Sequence, residues 1–311
     1  MPRRWAPSVF LIGSLLSCSG SKSSNTSSAD PPGPVLSATV MGRTYNLKVP
    51  DGYDGSRPLP LVVALHAYSS SPEVIESYFG LDPLADAQGF FVAYPQGTTD
   101  EVGHAFFSAT DACCDFYGTG VDDVAFIAAL LDQVEAGYAI DPARVFAVGH
   151  SNGAFMSHRL ACDLSPRFAA VVSLEGATWF DASRCRPTSP VTVLEVHGTD
   201  DTVIDPAGGD SVDGYPDRIY PSVAQTVATW TKLAGCTGPT QPGADPGPID
   251  AETSGGTVVQ QCSGPASDVG LWMTQGGTHN PELTATWPQV LYAFLMAHPK
   301  KSRGMTAVRA E

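Results

Sequence analysis

Gly149-His150-Ser151-Asn152-Gly153 sets a serine between two glycines, each two positions away. In this G-x-S-x-G pattern the serine sits on a sharp turn from strand to helix, and the residues two away must be small for the chain to pass. Ser151 is the candidate nucleophile. In a chain with 31 glycines the pattern alone is weak. Its context is stronger: it follows the apolar run 145–148 and opens an amphipathic stretch over 154–160, the strand, turn and helix that the motif requires.

A serine hydroxyl is a poor nucleophile at neutral pH and needs a base, usually histidine, held in one tautomer by a carboxylate. Where the serine follows such an elbow, acid and then base come later in the chain, each beyond a further strand. The run from Val191 ends in His197-Gly198-Thr199-Asp200-Asp201, and the run from Val269 ends in Gln275-Gly276-Gly277-Thr278-His279. Of seven histidines, only His279 follows the last strand in a glycine-flanked loop. His66 and His197 end strands and are read as loop supports. His104, His158 and His298 are read as solvated, and His150 as either packing under the elbow or lining an acyl pocket. Asp200 and Asp201 are adjacent, and spacing does not choose between them.

The elements that must position these residues are legible as periodicity. The continuous apolar runs 61–65, 90–94, 145–148, 169–172, 191–194 and 269–273 have the character of strands buried on both faces. Helical patterns alternate with them over 81–88, 122–134, 152–162, 222–233 and 288–297. This order predicts an α/β fold, a mainly parallel sheet with helices on both faces and its site beyond the carboxyl ends of the strands. Two edge strands are expected within 37–49, and the Gly- and Pro-rich segment 235–256 is expected to be a surface loop.

At 311 residues, 43% hydrophobic and 16% charged, the chain can bury one large core. A formal net charge of -15 repels nucleic acids and anionic lipid headgroups, so neither is an expected partner. The chain begins with Arg3 and Arg4, an apolar run over 9–16 and then Ser17 and Cys18, the layout of an export signal too short to span a bilayer. Leu15-Leu16-Ser17-Cys18 resembles the bacterial lipobox, which implies a lipid on Cys18; Ser19 after it favours an outer membrane where the cell has one. Residues 19–34 are too poor in apolar side chains to fold and would serve as a tether. The expected organisation is a lipoprotein-type signal over 1–17, the lipidated Cys18 and tether over 18–34, a catalytic domain over 35–299 and a basic tail over 300–311.

Setting Cys18 aside leaves Cys113, Cys114, Cys162, Cys185, Cys236 and Cys262, an even number suited to an oxidising compartment. The expected pairs are Cys236 with Cys262, Cys162 with Cys185, and Cys113 with Cys114. No Cys or His pair has the short spacing of a zinc site, so no metal is expected.

Several segments resemble the polyhydroxybutyrate depolymerase and feruloyl esterase family, extracellular esterases of the carbohydrate esterase 1 type: Tyr94-Pro95-Gln96-Gly97, Ala112-Cys113-Cys114-Asp115, Val121-Asp122-Asp123-Val124, the elbow, Leu160-Ala161-Cys162 and Gly276-Gly277-Thr278-His279. The likeness runs from about residue 49 to 300. It implies an α/β-hydrolase fold and an ester hydrolase with a Ser, Asp and His triad and no cofactor. Its His-Gly-Thr-x-Asp segment assigns Asp201 as the acid and leaves Asp200 a solvated turn residue. In this fold the oxyanion is held by the N–H after the nucleophile, here Asn152, and one from the loop after an early strand, here Tyr68.

The chain departs from that family at His66-Ala67-Tyr68-Ser69-Ser70-Ser71, where His-Gly-x-Gly-Gly-Ser is usual, and at Asn280-Pro281 in place of Trp-Pro. Tyr68, Phe106, Phe107 and Trp179 are candidates for the pocket mouth or for packing. The expected substrate is an ester, polymeric and outside the cell: a polyhydroxyalkanoate or a feruloylated polysaccharide. The rival readings are a peptidase or thioesterase on the same fold, and a catalytically impaired surface lipoprotein that binds ligands. Membrane contact is expected only through Cys18.

Overall fold

Strand β3 (Leu59–Leu65) explains the architecture in one segment. All seven of its residues are buried. Leu61, Val63 and Leu65 pack into one apolar cluster and Val62 and Ala64 into another, because successive side chains of a strand leave opposite faces. A strand with no polar face must lie in the middle of a sheet covered on both sides.

The computed structural model describes residues 34–300 except 213, 239 and 254. The expected export signal, Cys18, nearly all of the expected tether and the tail beyond Lys300 lie outside the described residues.

In chain order the elements are β1 (Val35–Val40), β2 (Arg43–Lys48), β3, α1 (Pro72–Phe79), α2 (Asp82–Gln88), β4 (Phe91–Pro95), β5 (Thr98–Thr99), β6 (Ala105–Phe106), α3 (Asp123–Gly137), β7 (Ile140–His150), α4 (Asn152–Asp163) and β8 (Ala170–Leu174). They continue with β9 (Thr192–Gly198), β10 (Gly209–Val212), β11 (Tyr215–Tyr220), α5 (Val223–Ala234), β12 (Gln241–Pro242), β13 (Thr257–Ser263), β14 (Asp268–Thr274) and α6 (Trp287–Ala297). Ten strands form one sheet in the order β1-β2-β4-β3-β7-β8-β9-β14-β13-β12. The six from β4 to β14 run parallel, and antiparallel pairs close both edges. Phe126, Phe155 and Trp230 bring α3, α4 and α5 onto one face, while Phe79, Ala85 and Leu291 bring α1, α2 and α6 onto the other.

The helices start where local chemistry allows. Asp122 accepts the Ala125 N–H at 2.9 Å to cap α3, and Ser222 with Gln225 forms a capping box on α5. Helix α1 was not expected from periodicity. It has only two turns, but Ser71 as its cap and Pro72 as its first residue are a start signal that could have found it. Segment 235–256 is not simply a surface loop. It contributes β12 to the sheet edge, and Ile249 and Asp250 are buried where Asp250 bridges to Leu283.

Candidate active site

Ser151 stands between β7 and α4 at φ 54°, ψ -117°, a left-handed conformation that side chains avoid. The flanking glycines make the turn possible. A β-carbon on Gly149 would collide with the Gly153 backbone, and one on Gly153 with the carbonyls of Leu65 and His66 at the end of β3.

The loop after β14 delivers His279, whose Nε2 lies 2.9 Å from Ser151 Oγ. Its Nδ1 lies 2.8 Å from Asp201 Oδ2. Because a carboxylate only accepts, Nδ1 carries the proton and Nε2 is left to accept from the serine hydroxyl. Asp201 is fixed in turn, its Oδ1 accepting the N–H groups of Val203 and Ile204 at 2.8 and 2.9 Å. Burial acts to raise its pKa, but hydrogen bonds from His197 and His279 outweigh that and hold it far below the usual carboxylate range. Asp200 is exposed and turned to the Thr199 hydroxyl.

The loop after β3 follows an unusual course. Ser69 takes φ 58° and donates its N–H to the Ala105 carbonyl at 2.8 Å. The Tyr68 hydroxyl donates to Asp100 Oδ2 at 2.7 Å and lies 2.9 Å from His104 Nδ1. Its ring packs edge-on against Phe116, which stacks on Tyr215 at 3.8 Å. So the β10–β11 hairpin, which follows Asp201 in the chain, reaches the loop after β3. Among the described residues, neither the Tyr68 nor the Asn152 backbone N–H donates to a protein acceptor.

The histidines divide clearly. His66 supports the loop, accepting the Gly97 N–H at Nε2 and donating from Nδ1 to the Ala67 carbonyl. His150 donates from Nε2 to the His279 carbonyl at 2.7 Å. Burial pushes the pKa of each down to about 4, so both are neutral. His158 is not solvated as expected but fully buried, because α4 packs it between Glu195 and Trp230. His104 and His298 are half-buried, each with a hydrogen-bond partner. Phe106 and Phe107 belong to the core and Trp179 is covered by Arg184, which leaves Tyr68 the least buried of the four aromatic candidates.

Sequence reasoning missed Glu175 and Glu195. Both are buried beside His197. The signal was present: each is a charged residue in or directly after an apolar strand. Donor atoms of Glu175, His197 and Asp201 lie within 4.8 Å of one another. They are occupied by each other and by protein hydrogen bonds, with His197 Nε2 donating to the Ile204 carbonyl at 2.8 Å. A protonated nitrogen cannot ligate a metal. Three disulfides join Cys113 to Cys114, Cys162 to Cys185 and Cys236 to Cys262.

The family profile described as esterase PHB depolymerase matches residues 43–227. The chain belongs to this family. The matched stretch carries Ser151 and Asp201, while His279 lies beyond it. Like its family, this esterase is a carboxylic ester hydrolase. Its relatives include the putative esterase NocK of Nocardia uniformis subsp. tsuyamanensis, 31% identical over 82% of this chain and 76% of that one. Feruloyl esterase C of Emericella nidulans is 31% identical over 83% of this chain and 85% of its own. Among solved structures, the acetyl xylan esterase from Aspergillus awamori superposes with a TM-score of 0.61 over 83% of this chain and 100% of that one. At 17% identity that likeness speaks to the α/β-hydrolase fold alone.

Proposed function

We propose that this chain is an exported serine esterase in which Ser151, His279 and Asp201 form the catalytic triad. The supporting observation is the continuous hydrogen-bonded line from Ser151 Oγ through His279 to Asp201, at 2.9 and 2.8 Å. His279 Nε2 takes the serine proton as Oγ attacks the ester carbonyl, and Asp201 stabilises the imidazolium that forms. The free N–H groups of Tyr68 and Asn152 receive the oxyanion. His279 then returns the proton to the leaving alcohol, and water repeats the sequence to release the acid. No cofactor enters this scheme.

Export is supported by the lipobox-like Leu15-Leu16-Ser17-Cys18 and by three disulfides, which persist outside the reducing cytosol. A lipid on Cys18 would hold the domain at a membrane through the tether, with residues 35–299 as the catalytic domain. A polymer cannot enter the cell before it is cut, so export favours polymeric esters: polyhydroxyalkanoates, or feruloylated polysaccharide as the name of the Emericella relative suggests.

The test is hydrolysis of p-nitrophenyl butyrate and methyl ferulate by the mature protein beside Ser151→Ala. Loss of about 10⁴-fold or more in kcat is expected. A folded variant that retains activity refutes Ser151 as nucleophile. Mass spectrometry of the mature amino terminus tests the lipid, and a start beyond Cys18 removes it.

A further inference from the structure

Beneath the proposed triad lies a second, wholly buried polar cluster drawn from four separate segments: His158 on α4, Glu175 just beyond β8, Glu195 and His197 on β9, and Asp201 in the loop that follows. Its proton positions follow from the donors. Trp230 Nε1–H can only donate, and it points at His158 Nδ1 from 3.0 Å. His158 therefore carries its proton on Nε2 and gives it to Glu195 Oε2 at 2.8 Å.

His197 differs. Its Nδ1 lies 3.1 Å from Glu195 Oε1, and its Nε2 lies 2.8 Å from the Ile204 carbonyl, with Glu175 Oε2 at 3.3 Å and Asp201 Oδ2 at 3.4 Å. Both nitrogens face acceptors, so a neutral ring would leave a lone pair pointing at an oxygen. Glu175 is held with equal care. Its backbone takes φ 59°, which a non-glycine residue adopts only under constraint, and its carboxyl receives the Gly198 N–H at 2.9 and 3.1 Å.

We propose that His197 is a permanently charged imidazolium beneath Asp201, a positioning residue that holds the acid of the triad and tunes His279 through it. The inference rests on the triad reading above. The titratable groups facing His197 are Glu195 on its own strand, Glu175 beyond β8 and Asp201; His158 closes the far side of Glu195. Burial would strip the proton from His197, but the three carboxyls outweigh it and raise its pKa. Burial, then the charge of Asp201, raises the pKa of Glu175, while the charge of His197 pulls it back down. His197 is then the cation faced by the carboxyl groups of Glu175, Glu195 and Asp201, each within 3.4 Å of a ring nitrogen.

The charge state is measured on the intact protein by ¹⁵N NMR of histidine-labelled material between pH 6 and 9. Both His197 nitrogens should remain protonated throughout, and a neutral tautomer anywhere in that range overturns the proposal. His197→Gln removes the cation. With less positive charge near Asp201, His279 holds its proton more tightly, so the acid limb of kcat/KM should move up by about one pH unit. The variant's kcat at pH 7 should fall about tenfold with KM unchanged. A folded His197→Gln with an unmoved limb refutes the tuning. Ser151→Ala run alongside separates the two ideas: an active Ser151→Ala sinks the triad reading, whatever His197 shows.

Discussion

The side-chain amide of Asn152 holds the backbone of Phe107 at both ends, Oδ1 accepting its N–H at 2.7 Å and Nδ2 donating to its carbonyl at 2.8 Å. The residue whose own N–H is proposed to face the oxyanion thus ties the elbow to the segment after β6. That segment also carries the Cys113–Cys114 pair, and Asn152 Nδ2 lies 3.5 Å from Cys113 Sγ.

Asn152→Ala should therefore affect stability as well as rate. Truncation leaves the Phe107 N–H without an acceptor and its carbonyl with only the Cys114 N–H at 3.4 Å, in a fully buried site, at about 2 kcal/mol. Chemical denaturation of the variant reads this directly. A midpoint equal to that of the parent would mean that the clamp contributes nothing.

Tyr68→Phe isolates the hydroxyl from the ring. Packing on Phe116 survives, but the bonds to Asp100 and His104 are lost. If these hold the glycine-poor loop in register, kcat should fall about tenfold as the loop's N–H drifts from the oxyanion, with stability little changed. Steady-state kinetics on p-nitrophenyl butyrate decide it, and an unaltered kcat means that the loop holds its course without the hydroxyl.

The buried neutral histidines give the stability a pH signature. Unfolded, His66 binds a proton near pH 6.5; folded, it does so only near 4 because burial disfavours its charge. Between those values the unfolded chain binds more protons, so this contribution is complete above pH 6.5 and is lost as pH falls toward 4. His66→Gln can keep both hydrogen bonds without titrating. Its unfolding free energy should lose about 1.4 kcal/mol per pH unit of slope relative to the parent across that window. Parallel curves for the two proteins would contradict a neutral His66.

Much of this site is local in sequence, and that part is legible. The elbow compresses strand, turn and helix into a dozen residues, and His279 is marked by following the last apolar run. The six parallel strands are equally plain, because burial on both faces erases their polar positions. Asp201 is different: no spacing rule separates it from Asp200, and only the turn that points one inward and the other to Thr199 does so. The cluster of His158, Glu175, Glu195 and His197 joins segments far apart in the chain, so no window contains it. His158 lies on a stretch read as having a solvated side, yet α4 is buried on nearly every side between sheet and helices. The β10–β11 hairpin and β13 also escaped, being mostly exposed strands whose pairing depends on partners rather than on apolar periodicity.

That hairpin is an insert between two fixed points. Asp201 precedes it and the capping box of α5 follows it, while the Asp205 N–H to Tyr220 hydroxyl bond, at 2.9 Å, pins its base. Among the described residues, the hairpin makes no strand pairing with the main sheet. The segment is therefore moored by side chains rather than by backbone pairing, with Val212 in the core, Tyr215 on Phe116 and Arg218 donating to the Asp111 and Phe116 carbonyls, so its side chains more than its strand register set the contour beside Tyr68.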